Sequence, residues 1–235
     1  MVVSLTTCVL GLTIAAVPAD APPAAHAELR GAIGETDDAK ALERIEALRV
    51  RYPAWEMPRL EAAEVMLRRG DSLDKIEGYL EGARVYAPEN PRVHYLWGLL
   101  LMERGQVEAA AKAFGIALLI RQDYDEARLR LAAALMSLGR FDEAAEAYKV
   151  VAAHQPEATA VKLGWAAALE KAGKKPEAVA VLKGLMAGPA KLAAARKLSE
   201  IYRGQGKNKE ADAVMKGLEP GDAKRKLRPL KPSRR

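Results

Sequence analysis

Three glycines, Gly105, Gly139 and Gly173, recur every 34 residues, and an alanine follows each at the same distance: Ala110, Ala144 and Ala178. A period of this length, held over consecutive copies, means that one supersecondary unit is repeated and buries its apolar face against the next copy. The fullest copy spans residues 125–158, with Leu131, Ala132, Leu135, Gly139, Phe141, Ala144, Tyr148, Val151 and Pro156 at its landmarks. It predicts a helix, a tight turn, a second helix and a stop. Two helices that cross closely need small residues at the crossing, and Gly98 with Ala110, Ala132 with Ala144, and Ala166 with Ala178 supply them. The glycines fall where the first helix ends and the chain needs a positive φ. Asp142 and Glu143 open the second helix, at the positive end of its dipole, and Pro156 cannot continue it.

The pattern Leu/Trp-Gly/Ala-x2-Leu, then Gly, then Ala-x3-Phe/Tyr, then Pro, resembles the tetratricopeptide repeat (TPR). One copy reads Trp97, Gly98, Leu101, Gly105, Ala110 and Phe114, and the next reads as above. The resemblance covers about 37–218 and is densest over 91–188. It implies an all-α, right-handed solenoid of helical hairpins. The expected units are a degenerate half repeat or N-terminal cap at 28–55, and repeats at 56–90, 91–124, 125–158, 159–188 and 189–220. In the first full repeat an extra residue falls in the turn Gly70-Asp71-Ser72-Leu73, where a loop absorbs it. Trp55, beside Pro53 and Pro58, is expected to seal the cap.

The two ends are set apart by composition. Val2 to Val17 is apolar and uncharged, and an alanine- and proline-rich stretch follows. Residues 1–27 therefore resemble a secretory signal peptide, with cleavage expected before Asp20 or before Glu28, although no basic residue precedes the apolar run. A retained anchor, a lipid on Cys8 and a cytoplasmic segment are the other readings. Residues 222–235 hold seven of the 37 basic residues and one of the 31 acidic ones, so this tail carries the whole net charge of +6 and the remainder is balanced. Two prolines and no helical pattern predict a disordered tail over 221–235. Its Lys224, Arg225, Lys226, Arg228, Lys231, Arg234 and Arg235 are candidates for contact with an anionic surface. Without aromatic residues interleaved, the tail does not favour nucleic acid.

No residues point to catalysis. His26, His94 and His154 are scattered, one cysteine cannot form an internal disulfide, and no phosphate loop, zinc-protease or hydrolase motif is present. The expectation is a protein without enzymatic activity, metal, cofactor or small-molecule substrate. Resemblance to TPR proteins instead places a partner groove along the first helices, next to the packing positions. This nominates Arg92, Tyr95, Leu99, Met102 and Glu103; then Glu126, Leu129, Ala133, Met136 and Ser137; then Leu163, Ala167, Glu170 and Lys171. The alternative for Leu99, Leu129 and Met136 is that they fill the core between repeats. The implied function is a scaffold that holds a protein or peptide, exported to the periplasm or envelope and serving assembly there. A cytoplasmic scaffold whose tail touches nucleic acid is the other reading.

Overall fold

The computed structural model describes residues 21–218, which form twelve α-helices and no strand. They are α1 (Pro23–Ile33), α2 (Asp38–Arg51), α3 (Met57–Arg69), α4 (Leu73–Tyr86), α5 (Pro91–Glu103), α6 (Val107–Ile120), α7 (Asp125–Ser137), α8 (Phe141–His154), α9 (Thr159–Lys171), α10 (Lys175–Gly184), α11 (Lys191–Gly204) and α12 (Asn208–Lys216). The chain divides between Leu100 and Leu101 into two compact units. The signal-like segment up to residue 20 and the basic tail, with Lys224 to Arg235, lie outside the described residues.

Five of the six hairpins turn by the same device; between α1 and α2 Gly34 stays at φ −75°. Gly70, Gly105, Gly139, Gly173 and Gly206 all take φ between 73° and 80°, a region that glycine enters without steric cost. The residue after each glycine donates its N–H to the carbonyl five residues back: Asp71 to Met66 at 3.0 Å, Arg140 to Leu135 at 2.9 Å, Lys174 to Leu169 at 2.9 Å and Lys207 to Tyr202 at 2.9 Å. This is the Schellman closure, which satisfies carbonyls that a helix end would leave open. At the other end of the hairpin, Pro53, Pro88 and Pro156 follow α2, α4 and α8 and stop them.

In the second unit, Ala144, Ala166 and Ala178 are 0–2% exposed and sit in one core with Leu135, Leu169, Leu182, Leu198 and Ile201, the partnership that the small residues at the crossings predict. A Cβ on Gly164 of α9 would stand 2.9 Å from the Tyr148 ring, so the glycine is what lets that ring approach the helix so closely. In the first unit, one core gathers Leu29, Ile45, Leu48, Trp55, Ala62 and Val65. Another gathers Leu60, Ile76, Leu80, Val93, Leu96 and Leu100.

The N-terminal boundary differs from the sequence reading. The half repeat expected from residue 28 is a complete hairpin that begins at Pro23: α1 packs on α2 through Ala25, Leu29 and Ala32. Two of the three anchors are alanines, so the apolar face is narrow and its helical period is weak in the sequence. The boundary at 27/28 falls inside α1. Asp37 caps α2, its carboxylate accepting from Ala39 N at 2.9 Å.

Candidate functional site

The nominated groove residues separate by unit and by exposure. Arg92 is not a free groove cation. Its guanidinium meets both oxygens of Glu61, at 2.5 and 3.0 Å, and also Glu64, tying α5 to α3. Glu61 is 7% exposed. Burial opposes the Arg92 charge, but hydrogen bonds to both carboxylates outweigh it and raise its pKa above the ordinary arginine value. Tyr95 and Leu99 are half-buried against the α3–α4–α5 core. On the rest of α5, Met102 is half-buried and Glu103 exposed.

On α7 and α9 the row is mixed. Leu129 packs on Val151, Ala152 and Val161, while Met136 and Leu163 pack on the core built around Leu135, Ala166 and Leu169. These three are half-buried, so they serve the inter-hairpin core with part of their surface and leave the rest open. Between them Ala133 is exposed and Ala167 half-buried, small residues that let another backbone come close. Glu126, Ser137 and Lys171 are exposed and Glu170 is half-buried; the Ser137 hydroxyl donates to the Ala133 carbonyl at 3.2 Å.

A second surface, on the hairpins themselves, was not legible beforehand. It begins with a nitrogen-bearing side chain eleven residues before three of the five turn glycines: Arg59, His94 and Arg128. Each reaches back six residues to a loop carbonyl. Arg59 Nη1 donates to Pro53 O at 2.6 Å, His94 Nε2 lies 2.8 Å from Pro88 O, and Arg128 donates to Gln122 O. In sequence these residues look like ordinary polar surface side chains, and only the carbonyl partner reveals the repeated role.

Two clefts open beside these arginines, at equivalent places in the two units. In the first unit a cleft of about 450 Å³ is lined by Arg49 of α2, Arg59 and Met66 of α3, and Asp74, Lys75, Gly78 and Tyr79 of α4. In the second a cleft of about 410 Å³ is lined by Arg128, Leu131 and Leu135 of α7, Asp142, Glu143, Glu146, Ala147 and Val150 of α8, and Lys174. None of the nominated groove residues lines either one. Arg128 keeps a buried Nε without a hydrogen-bond partner, whereas Asp142 pairs with Lys174 at 2.8 Å and Glu143 with Arg140 at 2.6 Å. The hydrogen bond from Arg140 holds the Glu143 carboxyl below its ordinary pKa. Among the described residues no group of three or more His, Cys, Asp or Glu side chains is placed to hold a metal ion, and no helix is long and apolar enough to cross a membrane.

Successive helical hairpins, five of them turned on positive-φ glycines and those of the second unit stacked through buried alanines, define a helical-hairpin repeat protein. The tetratricopeptide repeat family matches residues 101–163 and again 135–188. Residues 101–188 therefore match that family, and the fold of the described residues agrees with it. Among solved structures it is similar to MamA from Desulfovibrio magneticus RS-1, at 17% identity over 74% of this chain and 97% of that one, with a TM-score of 0.62. It is also similar to YrrB, described as a TPR protein with an unusual peptide-binding site, at 13% identity over 73% of this chain and 89% of that one, with a TM-score of 0.66. A tetratricopeptide repeat protein from Parabacteroides merdae aligns at 17% identity over 83% of this chain and 77% of that one, with a TM-score of 0.63. No curated protein matches. The repeat fold is that of protein–protein interaction scaffolds, which are generally not catalysts.

Proposed function

We propose that the chain is a non-catalytic scaffold that holds a peptide or helix against the α7–α9 face. The observation that carries this reading is the row of half-buried Leu129, Met136 and Leu163 with Ala133 and Ala167 between them. Apolar side chains that are anchored in the core yet partly open give a rigid surface for a partner's own apolar residues, and the alanines leave room for its backbone. Glu126, Glu170 and Lys171 would set orientation at the rim rather than affinity.

The test uses a peptide selected against the whole chain from a random library. Ala133→Glu with Ala167→Glu puts charge on the face at one exposed and one half-buried position and spares the packing leucines and methionine, so the helices should stay folded by circular dichroism while affinity falls about ten-fold or more, the equivalent of roughly 1.4 kcal/mol. Unchanged affinity in that folded variant would sink the groove reading. Leu129→Glu with Met136→Glu is a harsher probe, because both side chains also serve the core.

For location we propose export, with removal of the N-terminal apolar segment before Asp20. What supports that site over the one before Glu28 is that a cut after Ala27 would divide α1, whereas a cut after Ala19 leaves it whole. The basic tail would then add attraction to an anionic envelope surface. N-terminal sequencing of the protein from its own cells decides this: a start at Asp20 supports export, and an intact Met1 overturns it in favour of a cytoplasmic scaffold.

A further inference from the structure

The first unit's cleft differs from its counterpart in where its charges are satisfied. Glu46 of α2 is occupied from two sides: Tyr79 Oη donates to it at 2.5 Å and Arg49 Nε at 2.8 Å. Asp74 already has partners of its own. Arg59 and Lys75 form no ion pair among the described residues. The Arg59 guanidinium is nevertheless held in place, by the carbonyls of Pro53 and Trp55 and by the Tyr86 ring, whose centroid is 5.1 Å away. Burial, reinforced by the neighbouring Arg49, lowers the Arg59 pKa. A fixed cation without a counter-ion, at the edge of a cleft, is preorganised for an anion because its ordering cost is already met.

Two glycines shape the approach. A Cβ on Gly82 would stand 2.8 Å from Arg59 Nε, so the missing side chain is what allows the guanidinium to lie over α4. A Cβ on Gly78 would meet nothing within 4 Å, which leaves the helix backbone bare beside Lys75. Met66 and Tyr79 supply an apolar wall. Acidic side chains outnumber basic ones over residues 21–100, so a long polyanion would be repelled outside the cleft.

We propose that the α2–α3–α4 cleft binds an acidic side chain of a peptide, its carboxylate on Arg59 and Lys75 and a neighbouring apolar side chain on Met66 and Tyr79. The peptide backbone passes over Gly78. This site is separate from the α7–α9 face, and either can fail without the other.

The repeat itself supplies the variant that tests this. Lys75→Glu with Gly78→Glu installs the residues that the second unit carries at the equivalent positions, Glu143 and Glu146, so the helix is expected to hold. The probe is the amidated pentapeptide Leu-Ala-Glu-Leu-Ala, titrated at millimolar concentration into the full chain and followed by the amide resonances of Tyr79 and Gly82, which both proteins keep. The glutamine version of the same peptide is the control. The expected result is a saturable shift with the glutamate peptide, about ten-fold weaker with the glutamine peptide, and lost in the double variant. No shift, equal binding of the two peptides, or undiminished binding to the folded double variant would each overturn the proposal. Ala133→Glu with Ala167→Glu should leave this titration unchanged.

Discussion

Lys75 and Gly78 on α4 stand where α8 carries Glu143 and Glu146, and Met66, Tyr79 and Gly82 stand where the second unit has Leu135, Ala147 and Val150. Arg59 and Arg128 occupy one position and reach the same kind of loop carbonyl. The turn glycine and buried helix-crossing positions repeat alongside. The two clefts thus share a backbone plan, with a carbonyl-held arginine in each, and differ in what the rest of the wall offers: an exposed lysine, unpaired among the described residues, beside a bare glycine in one, and an apolar floor under paired carboxylates in the other. The lesson is that the repeat constrains few positions per hairpin, and those few hold the backbone. The rest are free to diversify, so one chain can present chemically different sites at equivalent places.

The largest expected effect tests whether the first unit's charges are structural. Arg92→Met leaves Glu61 buried without a partner, and thermal unfolding should show a loss of about 2–3 kcal/mol, less than for a fully enclosed pair because Glu64 and part of Arg92 remain in water. The equivalent residue of the second unit, Glu126, is exposed, and Glu126→Ala should change stability by no more than about 0.5 kcal/mol. Equal effects would break the contrast between the units.

Next comes a change of sign within one hairpin. Gly70→Ala puts a Cβ at φ 73° and should cost about 1 kcal/mol in chemical denaturation. Gly78→Ala, in mid-helix with open space around it, should stabilise by about 0.5–1 kcal/mol. A loss at Gly78 would mean that its bare backbone is needed for folding as well as for access.

The smallest effect concerns pH. Burial, helped by the hydrogen bond to Glu46, raises the Tyr79 pKa from 10.0 to about 12. The folded state therefore keeps this proton where the unfolded chain gives it up. The contribution is fully present below pH 10 and is lost as pH rises toward 12. Tyr79→Phe should flatten that part of the stability curve, measured by denaturant titration at several alkaline pH values. An unchanged slope would show that the phenol is not held as the geometry implies.

Period, glycine spacing and the alternation of small and large residues were enough to read the helical hairpins and their turns, because each of these is a local demand of the backbone or of close helix crossing. Gly139 and Ala144 announce a turn and a crossing whatever surrounds them. The weakly patterned α1 was harder, since alanine anchors leave little hydrophobic contrast. The groove row was legible only as a set of positions; that Leu129 and Met136 divide their surface between core and solvent, and that Arg92 is locked by Glu61 and Glu64, depended on neighbours about 30 residues away. The α2–α3–α4 cleft was decided by tertiary structure alone. Its character comes from which carboxylates are already engaged, Glu46 by Tyr79 and Arg49, and from the space that Gly78 and Gly82 leave beside Arg59. Charge is written in the sequence, but whether a charge is matched is settled by packing, because ion pairs form between helices that only the fold brings together.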